Sequence, residues 1–227
     1  MEHDIAGQGG LVSAVIPAYN ESGRIAQVIA EAVPFVDAII VVDDGSTDDT
    51  AEVAQQSGAR VIRRQHGGYL QAIRAGFAAA AGDFLVTLDA DGEHDPADIP
   101  RLLEPLLEDR ADLVLGRRPR IARPSERVIS WLARLKVPVS DSGTGFRALR
   151  RSLALRLTFP GRCICGASVL EAHALGARIS EVPISLRSTA KPRTIAWGHL
   201  RQLAVVLRLL SRGREKAPPF PVPPHTK

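Results

Sequence analysis

Short apolar runs that alternate with helix-forming segments constrain the fold of this chain more than any other feature. "LVSAVIPAYN", "AIIVVDD", "ARVIRR", "DFLVTLD" and "ADLVLG" follow one another in that order, with helical segments between them. A strand that is apolar along most of its length is buried on both faces, which happens when helices cover both sides of a parallel sheet. The pattern therefore predicts an α/β fold with a Rossmann-like, mostly parallel sheet and helices on both faces.

Capping residues predict where several helices begin and end. A helix is expected at residues 22–33, and a second one with Ser46 or Thr47 as its N-cap and Gly58 as its stop. Asp95 caps a further helix that has Pro96 at its first position. The second half of the chain predicts helices at residues 125–136, before Gly176 and at 195–211, together with the short strand "RISEVPI" and the Gly-rich turn "DSGTGF".

Length and composition fit one domain. The chain has 227 residues, of which 45% are hydrophobic and 24% charged, as in an ordinary globular protein. We predict a flexible leader at residues 1–10, a single domain at 11–211 and a disordered, Pro-rich tail at 212–227. Within the domain, residues 11–116 form a regular first half and residues 117–211 a smaller, less regular second half.

Charge is distributed unevenly along the chain, whose net charge is +4. The first hundred residues are rich in Asp and Glu, whereas Arg dominates from Arg117 onward. A basic half suggests an anionic partner such as phosphate, nucleic acid or a membrane surface, and the alternative is a solvated Arg-rich surface. The two cysteines, Cys163 and Cys165, are too close for an ordinary disulfide and indicate reduced thiols, which favours the cytosol.

Polar clusters follow three of the predicted strands. They read "PAYNE", "DDGSTDD" and "DADGEHD", and each stands where its strand ends. Any one cluster fits a capped turn, because Asp, Gly, Ser and Thr favour turns for local reasons. In an open α/β sheet, however, ligands bind outside the carboxyl ends of the strands, so three such clusters at one edge predict a ligand site.

The third cluster contains two carboxylates, Asp89 and Asp91, one residue apart. Like charges at that separation repel each other, and a cation between them removes the repulsion. The pair therefore predicts that a positive group lies between the two carboxylates.

Taken together, "VIPAYNE", "VVDDGSTDDT", "LDADGEHDP" and "GTGFRAL" resemble the signatures of glycosyltransferase family 2, whose fold is called GT-A. The subgroup that these motifs resemble most is that of the polyprenyl-phosphate (dolichyl-phosphate) mannosyl- and glucosyltransferases. The resemblance covers roughly residues 11–210. It implies that the first half binds a nucleotide diphosphate sugar of the GDP-mannose or UDP-glucose type and that the second half binds the acceptor, with no nucleic acid as partner.

The same resemblance implies roles for individual residues of the first half. Asp89 and Asp91, joined by Glu93, hold Mg²⁺ or Mn²⁺, which bridges the two phosphates of the donor. The residues implied for the nucleotide-sugar pocket are Pro17, Tyr19, Glu21, Val42, Asp44, Asp89, Ala90 and Asp91. Asp44 and the backbone at Val42 read the base, while Asp43 is the alternative brace of that loop. In "HGGYLQA" the family's Lys is missing, which leaves a phosphate contact there in doubt.

In the second half, the resemblance gives catalytic roles to Asp141, Arg147, Arg117 and Arg127 beside Asp91. The residues implied for the acceptor phosphate are Arg117, Arg127, Arg147, Lys191 and Arg193, whereas Arg118, Arg120 and Arg123 are expected in a solvated loop. Arg clusters suit phosphate recognition through bidentate hydrogen bonds.

An acidic residue that the family commonly uses as a base is missing here. Relatives that glycosylate hydroxyls carry a Glu-Asp pair on a later helix, and "CICGASVLEAHALG" has only Glu171. His66 and His94 are alternative bases, although a structural role is expected for both. A phosphate monoester arrives as an anion and needs no base. We therefore predict an inverting transfer of a hexose to polyprenyl phosphate at the cytosolic face of the membrane; the alternatives are a hydroxyl acceptor and a non-catalytic nucleotide-sugar-binding module.

The last predicted helix carries an apolar stripe beside basic residues. The stripe comprises Leu200, Leu203, Val206, Leu207 and Leu210, and Arg201, Arg208 and Arg212 flank it. Such a helix either lies in a bilayer interface or docks on the core of the domain. The sequence leaves both readings open, and with them a peripheral contact with the inner face of the cell membrane.

Overall fold

The computed structural model describes residues 10–121, 123–161, 163–187, 198–214 and 220–221. These residues form a seven-stranded sheet in the order β3-β2-β1-β4-β6-β5-β7. The strands are β1 (Val12–Ala18), β2 (Ala38–Asp43), β3 (Arg60–Arg63), β4 (Phe84–Thr87), β5 (Leu113–Arg117), β6 (Arg147–Arg150) and β7 (Ile179–Pro183). β6 runs antiparallel to both of its neighbours, and the remaining pairs are parallel. The predicted mostly parallel sheet is confirmed.

Helices cover both faces of this sheet, as the sequence predicts. They are α1 (Ile25–Ala32), α2 (Thr50–Gln56), α3 (Tyr69–Ala79), α4 (Ile99–Leu107), α5 (Pro124–Arg134), α6 (Arg151–Ala154), α7 (Ala167–Ala174) and α8 (Gly198–Leu210), with 3₁₀ turns at Val33–Phe35 and Pro96–Asp98. Alternate side chains of β1 enter two separate cores. Val15 packs with α3, α5, α7 and α8, whereas Ile16 packs with α1 and α4.

The short strand β6 is not predicted from the sequence. It begins at Arg147 in "GTGFRAL", ends at Arg150 one residue beyond it, and carries an arginine at each end, which is unusual for a central strand. Burial of Arg150 is tolerated because Asp112 accepts a hydrogen bond from its Nε at 3.1 Å and Asp109 accepts one from its Nη2 at 2.7 Å. Charge pairing supplied by other parts of the chain makes this strand stable, and no local pattern reveals it.

The start of α2 differs from the prediction. The helix begins at Thr50, after Asp49, because Ser46 and Thr47 bind a neighbouring loop instead. The Ser46 hydroxyl accepts a hydrogen bond from the Asn20 amide at 2.9 Å, and the Thr47 amide donates to the Asn20 side chain at 2.8 Å. The predicted cap at Asp95 is confirmed, since its carboxylate accepts a hydrogen bond from the Ala97 amide at 3.1 Å.

The last helix packs on the core. Val206 and Leu209 are buried, Leu203 and Leu210 are half-buried, and Leu207 is exposed. The side chains of Leu200 and Arg201 lie outside the described residues. Of the two readings of the predicted stripe, docking on the core is the one that these side chains adopt. None of the helices in the described ranges is long and apolar enough to cross a membrane.

Phe220 lies within the predicted tail at residues 212–227. Its ring is buried in the core, and the Arg156 guanidinium lies 5.3 Å from the ring centroid. Of the predicted leader at residues 1–10, residues 1–9 lie outside the described ranges. Cys163 and Cys165 are free thiols, the first half-buried and the second buried.

Candidate active site

A cavity of about 300 Å³ opens at the carboxyl ends of β1, β2 and β4. Its lining consists of Pro17, Ala18, Tyr19, Glu21, Asp44, His66, Gly68, Tyr69, Ala72, Asp89, Ala90 and Asp91. The three polar clusters of the sequence therefore do meet at one edge of the sheet. Of the residues predicted for the nucleotide-sugar pocket, Val42 is the exception, because its side chain is buried in the core.

Aromatic rings form one wall of this cavity. The rings of Tyr19 and His66 lie with their centroids 4.6 Å apart, and both side chains are exposed to solvent. Nearby, the buried Glu21 contacts Arg24 at 3.2 Å, and its amide donates a hydrogen bond to the Thr50 hydroxyl at 2.8 Å. An exposed aromatic platform beside a fixed carboxylate suits a flat, polar ring such as a nucleobase.

The carboxylate of Asp44 holds the loop before α3. It accepts hydrogen bonds from the amides of Gly67 at 3.1 Å and Gly68 at 2.7 Å, and it pairs with Arg64. Gly68 has a φ of 87°, which favours glycine and lets the chain turn into α3. Asp43 braces the preceding turn by accepting a hydrogen bond from the Ser46 amide at 3.2 Å. Both aspartates therefore shape this edge of the cavity.

Asp89 carries the clearest sign of a missing positive partner. Within the described part of the chain, its Oδ1 is buried and accepts no hydrogen bond. The backbone of Gly145 lies against the same carboxylate, since a Cβ at that position would come within 2.6 Å of Oδ2. An unpaired buried carboxylate oxygen is costly, and a cation would satisfy it.

The other two predicted metal ligands are arranged differently. Asp91 lines the cavity, and its Oδ1 accepts a hydrogen bond from the Glu93 amide at 3.0 Å. Glu93 lies outside that lining. Among the described residues, no three His, Cys, Asp or Glu side chains come together as a complete metal site. The donor set therefore fits a hard cation held by Asp89 and Asp91 whose remaining ligands come from a bound diphosphate.

Two further side chains surround Asp89. Burial raises the pKa of the Tyr69 hydroxyl well above its usual range, and the charge of Asp89 raises it further, so the hydroxyl stays protonated. His94 is buried, and its Nδ1 accepts a hydrogen bond from the Asp89 amide at 3.3 Å, which places the ring proton on Nε2. The His94 ring also stacks on Phe146, 5.1 Å away, as expected of a structural histidine.

Asp141 and Arg118 form a paired unit in the second half. The Nε of Arg118 donates a hydrogen bond to Asp141 at 2.7 Å, and its Nη2 donates to Asp141 at 2.9 Å and to Glu126 at 3.0 Å. Burial acts to lower the pKa of Arg118, but the hydrogen bonds with Asp141 raise it above its usual value. The prediction of a solvated Arg118 is therefore wrong, and the buried Asp141 is a charge partner for that arginine.

Arg147 lies in a position that differs from the predicted phosphate contact. Its side chain is buried, with Nε donating to the Thr144 carbonyl at 2.8 Å, Nη1 to the Ser168 hydroxyl at 2.5 Å and Nη2 to the Ser142 carbonyl at 2.9 Å. Burial also lowers the pKa of this guanidinium. Each of its nitrogens is engaged within the protein, so Arg147 braces the "DSGTGF" turn and presents no free edge to a phosphate.

The remaining predicted acceptor residues are dispersed. Arg117 is exposed at the end of β5 and lines a second cavity of about 460 Å³, together with Arg118, Ser140 and Asp141. Arg127 is exposed on α5 and lies outside that lining. Lys191 and Arg193 lie outside the described residues.

Glu171, the lone acid in the region where relatives carry a base, is buried and faces the backbone. It accepts hydrogen bonds from the amides of Thr158 at 2.8 Å and Phe159 at 3.0 Å. Sequence reasoning also missed that Ala18, Tyr69 and Ala72 line the first cavity. The signal for Tyr69 was the Gly67-Gly68 pair, which ends a loop at the same sheet edge.

Comparison with known proteins agrees with this geometry. The model of the family described as glycosyl transferase family 2 matches residues 13–158. An uncharacterised glycosyltransferase of Mycobacterium tuberculosis is 36% identical over 205 residues, which are 85% of this chain and 93% of the relative. A dolichyl-phosphate hexose transferase of Haloferax volcanii is 33% identical over 192 residues, which are 79% of this chain and 84% of the relative.

Solved structures extend the comparison. Glucosyl-3-phosphoglycerate synthase of Mycobacterium tuberculosis superposes with a TM-score of 0.75 at 28% identity, covering 92% of this chain and 82% of that one. A second structure of that enzyme, with Mn²⁺, UDP and glucosyl-3-phosphoglycerate, gives a TM-score of 0.70 at 29% identity and covers 92% and 81% of the two chains.

Proposed function

Because this chain belongs to glycosyl transferase family 2, we propose that it moves a hexose from a nucleoside diphosphate sugar to a polyprenyl phosphate. The proposal includes a divalent metal, inversion at the anomeric carbon and a location at the cytosolic face of the membrane. The observation that carries it is the unpaired, buried Oδ1 of Asp89 in a cavity that the backbone of Gly145 adjoins. The carboxylate that would bind the cation thus lies against the "DSGTGF" turn of the second half.

The donor is proposed to occupy the 300 Å³ cavity. Tyr19 and His66 offer a stacking platform for the base, and Asp44 holds the loop that closes that side. UDP in the structure of a neighbour supports a uridine donor over a guanosine donor. Mg²⁺ or Mn²⁺ held by Asp89 and Asp91 would neutralise the diphosphate as it leaves, which lowers the barrier by several kcal/mol.

A phosphate nucleophile agrees with the acidic side chains near the second cavity. Asp141 is the acid in the lining of that cavity, which Arg117 also lines, and Arg118 already pairs with Asp141. A phosphate oxygen that is already anionic forms the new bond to the anomeric carbon, and the bond from that carbon to the diphosphate breaks with its electron pair on the leaving oxygen. No proton has to be removed, so Asp141 is not required as a base.

A phosphorylated soluble acceptor is the second candidate. Glucosyl-3-phosphoglycerate synthase superposes over most of this chain, and the glucosyl-3-phosphoglycerate bound in one of its structures carries a phosphate. Both candidate acceptors therefore present a phosphate to the same half of the molecule. They differ in whether that phosphate is the nucleophile or only a handle for binding.

The test is a transfer assay with pure protein, a panel of UDP- and GDP-hexoses, and Mn²⁺ or Mg²⁺. The acceptors are a short-chain polyprenyl phosphate, the matching unphosphorylated polyprenol and 3-phosphoglycerate, with products identified by mass and Asp91→Ala as the inactive control. Product from the polyprenyl phosphate alone supports the proposal. Product from 3-phosphoglycerate alone replaces it with the second candidate, and no product from any pair would leave a nucleotide-sugar-binding module.

A further inference from the structure

Helix α5 has an apolar stripe on the side that faces away from the protein. Its inner side carries Glu126, Ile129, Ser130 and Ala133, all buried. Val128, Trp131 and the following Leu135 are 52%, 62% and 62% exposed, and their spacing of three and four residues puts them on one side of the helix. Single exposed apolar residues are common, but a stripe that contains the exposed Trp131 marks an interaction surface.

The exposed charges on helix α5 have one sign. Arg127 and Arg134 are exposed on the same helix, and the single acid of α5, Glu126, points inward to Arg118. Helix α8 packs beside α5 and adds the exposed Leu207 and Arg208. We define the α5 face as Val128, Trp131, Leu135, Arg127 and Arg134.

The α5 face is attached rigidly to the turn beside the candidate active site. Glu126 on its inner side bonds Arg118, which in turn holds Asp141 at the start of that turn. One turn further along the helix, the Ser130 hydroxyl lies 3.0 Å from the Ser142 hydroxyl and accepts a hydrogen bond from the Ser142 amide at 3.1 Å. A surface that contacts α5 from outside would therefore lie on the same side of the molecule as the "DSGTGF" turn.

We infer that the α5 face docks on a bilayer surface that contains anionic lipid. The inference rests on the proposed function to the extent that a polyprenyl phosphate acceptor lies in such a bilayer. An apolar stripe with an interfacial tryptophan and flanking arginines matches the layered chemistry of that surface, where acyl chains lie beneath anionic headgroups. A second copy of this chain would bring Arg127 and Arg134 against identical cations, which disfavours self-association.

The test measures binding of the full chain to vesicles made of equal parts of phosphatidylcholine and phosphatidylglycerol. The chain has two tryptophans, so the Trp197→Phe variant reports on Trp131 alone. We expect these vesicles to shift the fluorescence of Trp131 to the blue and brominated lipids to quench it. Sedimentation should show binding at low salt, weaker binding at high salt, and little binding to vesicles of phosphatidylcholine only.

The decisive variant replaces Trp131 and Leu135 by Glu. Both side chains are exposed, so the fold should tolerate the change, which circular dichroism and thermal unfolding verify. The matched control replaces Val33 and Leu155 by Glu, which adds the same charge at apolar residues that are 56% and 51% exposed elsewhere. The variant with changes on α5 should bind vesicles at least about 10-fold more weakly than the wild type, while the control binds within about twofold.

Three results would overturn the inference. The first is no binding to the vesicles at low salt, and the second is an equal loss of binding in both double variants. The third is a dimer, detected by light scattering, that Trp131→Glu with Leu135→Glu dissociates, which would make the α5 face a contact between copies.

Activity separates this inference from the proposed function. On a water-soluble, short-chain polyprenyl phosphate, the variant with changes on α5 should turn over like the wild type, and on a long-chain acceptor in vesicles it should fall at least about 10-fold. Vesicle binding without any transfer leaves the inference standing and rejects the proposed function. Transfer to the short acceptor without vesicle binding does the reverse.

Discussion

The edge of the sheet at β4 and the turn that precedes β6 are both rich in charge, yet they use it in opposite ways. Asp89 keeps a buried oxygen without a partner among the described residues. In the turn, Arg147 donates from each of its nitrogens to the protein, and Asp141 is held by Arg118. A high density of charge therefore does not identify a ligand site, whereas a charged side chain with an unpaired polar atom does.

The two regions therefore contribute differently to ligand binding and to stability. Residues whose polar atoms lack internal partners contribute to ligand binding and little to stability. Residues whose polar atoms are all engaged contribute to stability, because removing one leaves several buried groups unsatisfied. The predictions below separate the two by measuring activity and unfolding on the same variants.

Asp89→Ala and Asp91→Ala should produce the largest change. Each should lower transfer activity at least about 1,000-fold, since the proposed metal would stabilise the leaving diphosphate by several kcal/mol. The thermal midpoint of Asp89→Ala should fall little, because Oδ1 has no partner to lose and the variant gives up only the contact of the carboxylate with the Tyr69 hydroxyl. Asp95→Ala is the matched control in the same loop, and it should cost about 1 kcal/mol of stability through the lost cap while most activity remains. A destabilised but active Asp89→Ala variant would contradict the view that Asp89 contributes to ligand binding and little to stability.

Arg147→Met should cost about 3 kcal/mol of unfolding free energy, because two carbonyls and the Ser168 hydroxyl lose their donor. Urea denaturation measures this, with the exposed Arg117→Met expected within about 0.5 kcal/mol of the wild type. If Arg147→Met kept wild-type stability and instead raised the KM for the acceptor, Arg147 would have the phosphate contact that its sequence motif implies.

Gly145→Ala should weaken Mn²⁺ binding about 10-fold, or about 1.4 kcal/mol, in the presence of a nucleoside diphosphate. Its Cβ would come within 2.6 Å of the Asp89 carboxylate and displace it. Gly143→Ala is the matched control in the same turn, since its Cβ would lie 3.1 Å from Nη2 of Arg118 and away from Asp89. Isothermal titration should show a loss of metal affinity for the first variant only, and equal losses for both would contradict the proposed contact.

Arg117→Ala should have the smallest effect, a rise of about threefold in the KM for a detergent-dispersed polyprenyl phosphate. Arg117 lines the 460 Å³ cavity but is exposed, and exposed charge pairs are worth about 0.2–1 kcal/mol. Arg127→Ala, on the α5 face, should leave this KM unchanged in detergent. The opposite result would place the acceptor phosphate beside α5 instead of in that cavity.

The fold class and the position of the first cavity follow from the sequence alone. Continuous apolar strands dictate a doubly covered sheet, and the carboxyl ends of parallel strands must share an edge, so the clusters at Pro17–Glu21, Asp43–Asp49 and Asp89–Asp95 had to meet. Both follow from the periodicity of apolar residues and from the direction of the strands, which are visible in the local sequence.

Tertiary contacts determine which charged side chains are available to contact a ligand. The sequence motifs place Arg117 and Arg147 at the acceptor phosphate and Arg118 in a solvated loop. In the structure, backbone carbonyls engage Arg147, Asp141 and Glu126 engage Arg118, and Arg117 stays exposed. The strand β6 and the outward stripe of α5 depend on tertiary contacts in the same way, because partners distant in the chain decide which face is buried. Pairing of charges depends on distances in space, and residue order does not encode those distances locally.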